Sequence, residues 1–146
     1  MASHYASRVI KLRLEKNGGE CKVPMIRTTT TISLCASDAI MFEKVGTTVF
    51  PLETFDKVLH EANRLGGKMY LADSAARSGA KLGSPELPVT SIDGFIAKEV
   101  FGKEEGVSIL GCSSYIAAVL KWIGVCVYSS DYKGRYISIR EMYSKL

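Results

Sequence analysis

Asp131-Tyr132-Lys133 has the D-x-K spelling used by metal-dependent nucleases, and Pro85-Glu86 supplies an earlier carboxylate. Such chemistry needs its carboxylates on adjacent strands, converging on a divalent ion. Here the tripeptide falls in a polar stretch, residues 129–134, between two strand-like runs. A hairpin loop is the expectation, and a small metal-dependent nuclease is only the third reading. Gly67-Lys68-Met69 is not a phosphate loop, because no Ser or Thr follows the lysine and position 62 is Ala. Cys21, Cys35, Cys112 and Cys126 form no C-x-x-C pair, and the only histidines are His4 and His60. That is not metal-ligand spacing. The cysteines read as reduced thiols of a cytoplasmic protein, with no metal or cofactor implied. No Ser–His–Asp set can be assembled.

Charge says more. The 146 residues carry a formal +4, unevenly spread. Residues 1–37 hold six Lys/Arg (Arg8, Lys11, Arg13, Lys16, Lys22, Arg27) against Glu15 and Glu20. Residues 121–146 hold five (Lys121, Lys133, Arg135, Arg140, Lys145) against Asp131 and Glu141. Two basic ends around an acidic middle suit a polyanion if they meet in space.

The elements that must position these cations follow from periodicity. Ile10, Leu12 and Leu14 alternate with Lys11 and Arg13, which reads as a strand over residues 8–14 behind a tail of residues 1–7. Asn17-Gly18-Gly19 marks a turn. Extended stretches are expected near Lys22 and Pro24, at residues 28–32, 39–42 and 47–50. At Pro51 the period becomes helical: Leu52, Phe55, Val58, Leu59, Ala62 and Leu65 share one face, and Gly66-Gly67 stops it. A short helix is expected over residues 70–78. Another begins at Thr90-Ser91-Ile92-Asp93, which has capping-box spacing. A third, residues 113–123, is apolar nearly all round and ends at Gly124. Two strand-like runs close the chain, residues 125–128 and 135–139.

A run of helices feeding a hairpin with a cationic, aromatic tip resembles the winged-helix DNA-binding domains over roughly residues 52–140. The expected class is α+β: an N-terminal β-hairpin or small antiparallel sheet, residues 1–50, then a winged-helix-like bundle of four helices with a C-terminal β-hairpin, residues 51–146. The resemblance implies double-stranded DNA as partner. Lys133 and Arg135 then contact phosphate, Tyr132 packs against sugar, and Arg140 and Lys145 follow the hairpin. Ser113, Ser114 and Lys121 are the polar groups that helix 113–123 can offer a groove. Arg77 and Lys81, with small neighbours, form a second groove-facing candidate.

A helix apolar on two faces is usually buried. Ile116, Leu120 and Ile123 make one face, Tyr115, Ala118 and Trp122 the other. The alternative function is therefore a protein-interaction module or homodimer that buries the second face in a partner. No apolar run approaches the roughly 20 residues of a membrane span, and the first residues lack the pattern of a secretory leader.

Overall fold

The computed structural model describes residues 3–144, so Lys145 lies outside the described residues. The fold is mixed α+β, with five helices and two small antiparallel sheets. Helix α1 (Tyr5–Lys16) leads into strands β1 (Glu20–Pro24), β2 (Thr29–Ala36), β3 (Ala39–Phe42) and β4 (Val49–Pro51), which form one sheet in chain order. Helix α2 (Glu53–Arg64), strand β5 (Lys68–Tyr70) and the short helices α3 (Asp73–Arg77) and α4 (Ile92–Phe95) follow. A π-helical turn, Ile96–Val100, extends α4. Helix α5 (Ser113–Trp122) and strands β6 (Cys126–Asp131) and β7 (Gly134–Ile139) complete the chain. The second sheet has the order β5-β7-β6, so the last strand lies between the other two.

The tail and strand expected over residues 1–14 are instead helix α1. Ile10 and Leu14 belong to a period of two and equally to a helical i, i+4 series with Ala6; all three are buried, while Leu12 is 56% exposed. The helix start is fixed from outside, by the Ser7 N–H donating to Asp56 of α2 at 3.0 Å. The expected helix over residues 70–78 is also corrected. Lys68, Met69 and Tyr70 pair with Ser138, Ile137 and Tyr136 as strand β5, and only Asp73–Arg77 is helical. That pairing lies far along the chain, where local propensity cannot see it. Between strand and helix, Ala72 takes φ +62°, the one positive φ at a non-glycine among the described residues.

One hydrophobic cluster includes residues from Ala6 to Ile137. That cluster draws on residues from both sides of the division near Pro51. Helix α5 runs through the centre, with Ile116, Ala117, Ala118, Val119 and Leu120 buried. Its second face packs in part against the chain's own N-terminal part. Phe42 of β3 sits 5.5 Å from the Tyr115 ring, and Arg13 of α1 stacks 4.9 Å over Trp122 while donating to the Trp122 carbonyl at 2.8 Å. On that face Ala118 is buried, and Tyr115 and Trp122 are half-buried. Among the described residues no helix is long and apolar enough to cross a membrane.

Helix α5 is capped at its start by a distant residue and at its end by the residues that follow it. Asp93 accepts the N–H groups of Cys112 (2.7 Å) and Ser113 (2.9 Å) and the Ser113 hydroxyl (2.6 Å). At the other end Gly124, φ +84°, closes the helix with its N–H on the Lys121 carbonyl and the Val125 N–H on that of Leu120. The expected capping box is displaced by one residue. Ser91, not Thr90, caps α4 by accepting the Gly94 N–H at 3.1 Å, which frees Asp93 to cap α5. Gly94 must be glycine, because a Cβ there meets the Pro88 carbonyl oxygen at 2.1 Å.

Candidate functional site

The turn of residues 25–28, helix α3, the first turn of α5 and the β6–β7 hairpin converge on an open cleft of about 490 Å³. The β1–β2 connection contributes Arg27, the end of α3 contributes Arg77, and β7 contributes Arg135. One cation from each basic end of the sequence, Arg27 and Arg135, therefore lines the same cleft. Arg77 donates to Asp73 Oδ2 at 3.1 Å, and Arg135 donates to the same oxygen. Asp73 is buried at the start of α3, where the left-handed turn at Ala72 sets it. Three guanidinium groups thus stand against one engaged carboxylate. Arg27 has no ion pair or hydrogen bond through its side chain among the described residues, and it is exposed. Guanidinium forks bind phosphate and carboxylate in a bidentate geometry, which an ammonium cannot do.

The expected contact residues divide by position. Arg77, Ser114 and Arg135 all line the cleft. Lys121 lies at its edge, with Nζ 5.3 Å from the ring centre of the cleft residue Tyr128. Lys133 and Tyr132 form the two-residue tip of the hairpin, Tyr132 being 93% exposed. The polar loop expected over residues 129–134 is in fact mostly strand, because β6 runs to Asp131 and β7 starts at Gly134.

Three residues stand apart. Ser113 is 0% exposed and gives its hydroxyl to Asp93, so it is removed as a contact residue. Arg140 lies at the far end of the hairpin and donates to the Gly124 carbonyl at 3.2 Å, where a cation complements the C-terminal end of α5. Lys81 donates to Ser108 at 2.9 Å and does not line the cleft.

Asp131, the carboxylate of the D-x-K spelling, latches the hairpin. It accepts the Tyr70 hydroxyl at 2.6 Å, Lys68 Nζ at 3.1 Å and the Lys133 N–H at 2.8 Å. Lys68 also lies 4.1 Å over the Tyr136 ring. The Tyr70 hydrogen bond above all, then those from Lys133 and Lys68, bring the Asp131 pKa down to about 2. A depressed carboxylate pKa favours the folded arrangement above the ordinary value, and that contribution disappears as pH falls through the folded value. The latch is therefore expected to hold from neutral pH down to about 4 and to release between about 4 and 2. Carbon-13 titration of the Asp131 carboxyl reads this directly, and a midpoint near the ordinary carboxylate value contradicts it.

Sequence reasoning missed Tyr115 and Tyr128 as cleft residues, and Asp73 as the carboxylate that pairs with Arg77 and Arg135. Asp73 is a lone acid in an alanine-rich stretch, and nothing local marks it as the partner of Arg135, 62 positions away. Arg27 carried a signal only through the charge of the first 37 residues. Among the described residues no group of three or more His, Cys, Asp or Glu side chains is placed to hold a metal ion. Burial pushes the Cys126 thiol up to about 12 and raises that of Cys112, so both stay protonated at neutral pH. No family model matches this chain, and no curated protein or solved structure matches it.

Proposed function

We propose that the chain is a DNA-binding protein of winged-helix type, which engages phosphate through the arginine cleft and the neighbouring hairpin tip. The observation that carries the reading is the meeting of Arg27, Arg77 and Arg135 in one open cleft beside the hairpin that presents Lys133. The order of helices followed by a two-residue hairpin supports the winged-helix part of the reading. The packing of Tyr115 and Trp122 of α5 against β3 and α1 argues for binding dominated by backbone contacts, because a helix so packed has little free surface to lay in a major groove. The chain acts in this reading as a regulator or as the recognition module of a larger DNA-processing system.

The test is a labelled duplex titrated by fluorescence anisotropy over a range of salt. Lys133→Ala/Arg135→Ala is expected to weaken binding and to lower the slope of log affinity against log salt by about two, one unit for each phosphate no longer neutralised. Arg77 remains on Asp73 in this variant, so the buried carboxylate keeps a partner. An unchanged slope removes the hairpin from the interface.

A further inference from the structure

The cleft is of a size to hold one nucleotide. A volume of about 490 Å³ lies in the range of small-ligand sites. Its walls come from four separate parts of the chain: the turn 25–28, α3, the start of α5, and the hairpin.

The lining also exceeds what phosphate requires. Guanidinium groups alone serve a backbone contact. Here Tyr128, Tyr115, Met25 and Ile26 line the cleft with the arginines. Ile26 is 59% exposed on a turn, an apolar group at the rim with no protein cover. One face of the Tyr128 ring carries Lys121, and its hydroxyl is held by the Ser114 carbonyl at 3.3 Å, which fixes the ring. Flat aromatic and apolar side chains beside cations are the combination that holds an unpaired base and its phosphate together.

We infer that the cleft receives a single unpaired nucleotide next to a duplex. Its phosphate meets Arg27, Arg77 and Arg135, its base lies against Tyr128 and Ile26, and the hairpin tip rests on the paired region. This inference rests on the phosphate-binding reading above and adds the form of the ligand to it. It predicts a preference for DNA ends, gaps or junctions over continuous duplex.

The experiment compares two labelled probes by anisotropy at one salt concentration: a blunt duplex, and the same duplex with a three-nucleotide single-stranded extension. The extended probe is expected to bind about tenfold more tightly, which corresponds to one stacked base. Ile26→Ser is expected to abolish most of that preference with no change in melting temperature, because the side chain is exposed. Equal binding of the two probes overturns the inference and leaves the phosphate reading standing. A preference that survives Ile26→Ser also overturns it, since the preference then arises outside the cleft. If neither probe binds at low salt, both readings fail.

Discussion

Phe42→Ala is expected to lower the unfolding free energy by about 4 kcal/mol, the cost of deleting a fully buried phenyl ring and leaving a cavity. Phe42 is 0% exposed and makes the joint between the two halves of the fold. Its ring lies 5.3 Å from Phe50 of β4, edge to face, and 5.5 Å from Tyr115 of α5. Phe50 in turn meets Phe101, just past the π-helical turn, at 5.5 Å. The N-terminal sheet is thus seated on α5 through a chain of four rings. For a chain of this length the change corresponds to a fall in melting temperature of about 10 °C. The substitution has a functional side, because the turn with Arg27 hangs from that sheet. Weakened nucleic-acid binding should accompany the reduced stability, even at temperatures where the variant remains folded. A destabilisation under about 1 kcal/mol would show that the sheet is held some other way.

Asp93→Ala is expected to cost about 3 kcal/mol, since it leaves the buried Cys112 and Ser113 N–H groups and the Ser113 hydroxyl without their acceptor. Asp93 comes from α4 and holds the start of α5, so the change loosens two elements and not one cap. Burial pushes the carboxyl pKa up and the hydrogen bonds pull it down, burial being the larger effect. Asp93→Asn keeps an acceptor and removes the charge, so it should recover roughly half of that stability. Chemical denaturation of the three proteins gives the comparison. An Asp93→Ala variant as stable as the parent would contradict the capping role.

The elements legible in the sequence are those whose pattern is local. Helix α2 keeps its apolar positions at helical spacing, and its stop at Gly66-Gly67 follows directly from residue type. Of the strands before it, β2 carries a β-branched run, Thr29-Thr30-Thr31-Ile32. Helix α5 and the closing hairpin are also visible, because apolar content and Gly124 mark them without any partner. The misreadings share another cause. Residues 8–14 satisfy two periods at once, and only packing of Ala6, Ile10 and Leu14 in the core selects the helical one. Strand β5 exists because β7 lies beside it, and no residue in Lys68–Tyr70 announces that neighbour.

The candidate site is legible in pieces. Residue type marks Arg77, Ser114 and Arg135, and the charge of its region marks Arg27. Their convergence depends on the N-terminal sheet folding over α5, a long-range event. Ser113 illustrates the opposite case. A hydroxyl at the start of a helix reads as available, yet Asp93, twenty positions earlier, has taken it.

The central claim is that the cleft and the hairpin tip present a cationic surface to nucleic-acid phosphate. The most direct measurement is the affinity of the unaltered protein for a labelled DNA duplex of arbitrary sequence at about 50 mM and about 200 mM salt. The predicted result is binding at the lower concentration that weakens steeply at the higher one, as release of counterions from several neutralised phosphates requires. Absence of binding at low salt, or an affinity indifferent to salt, would contradict the account.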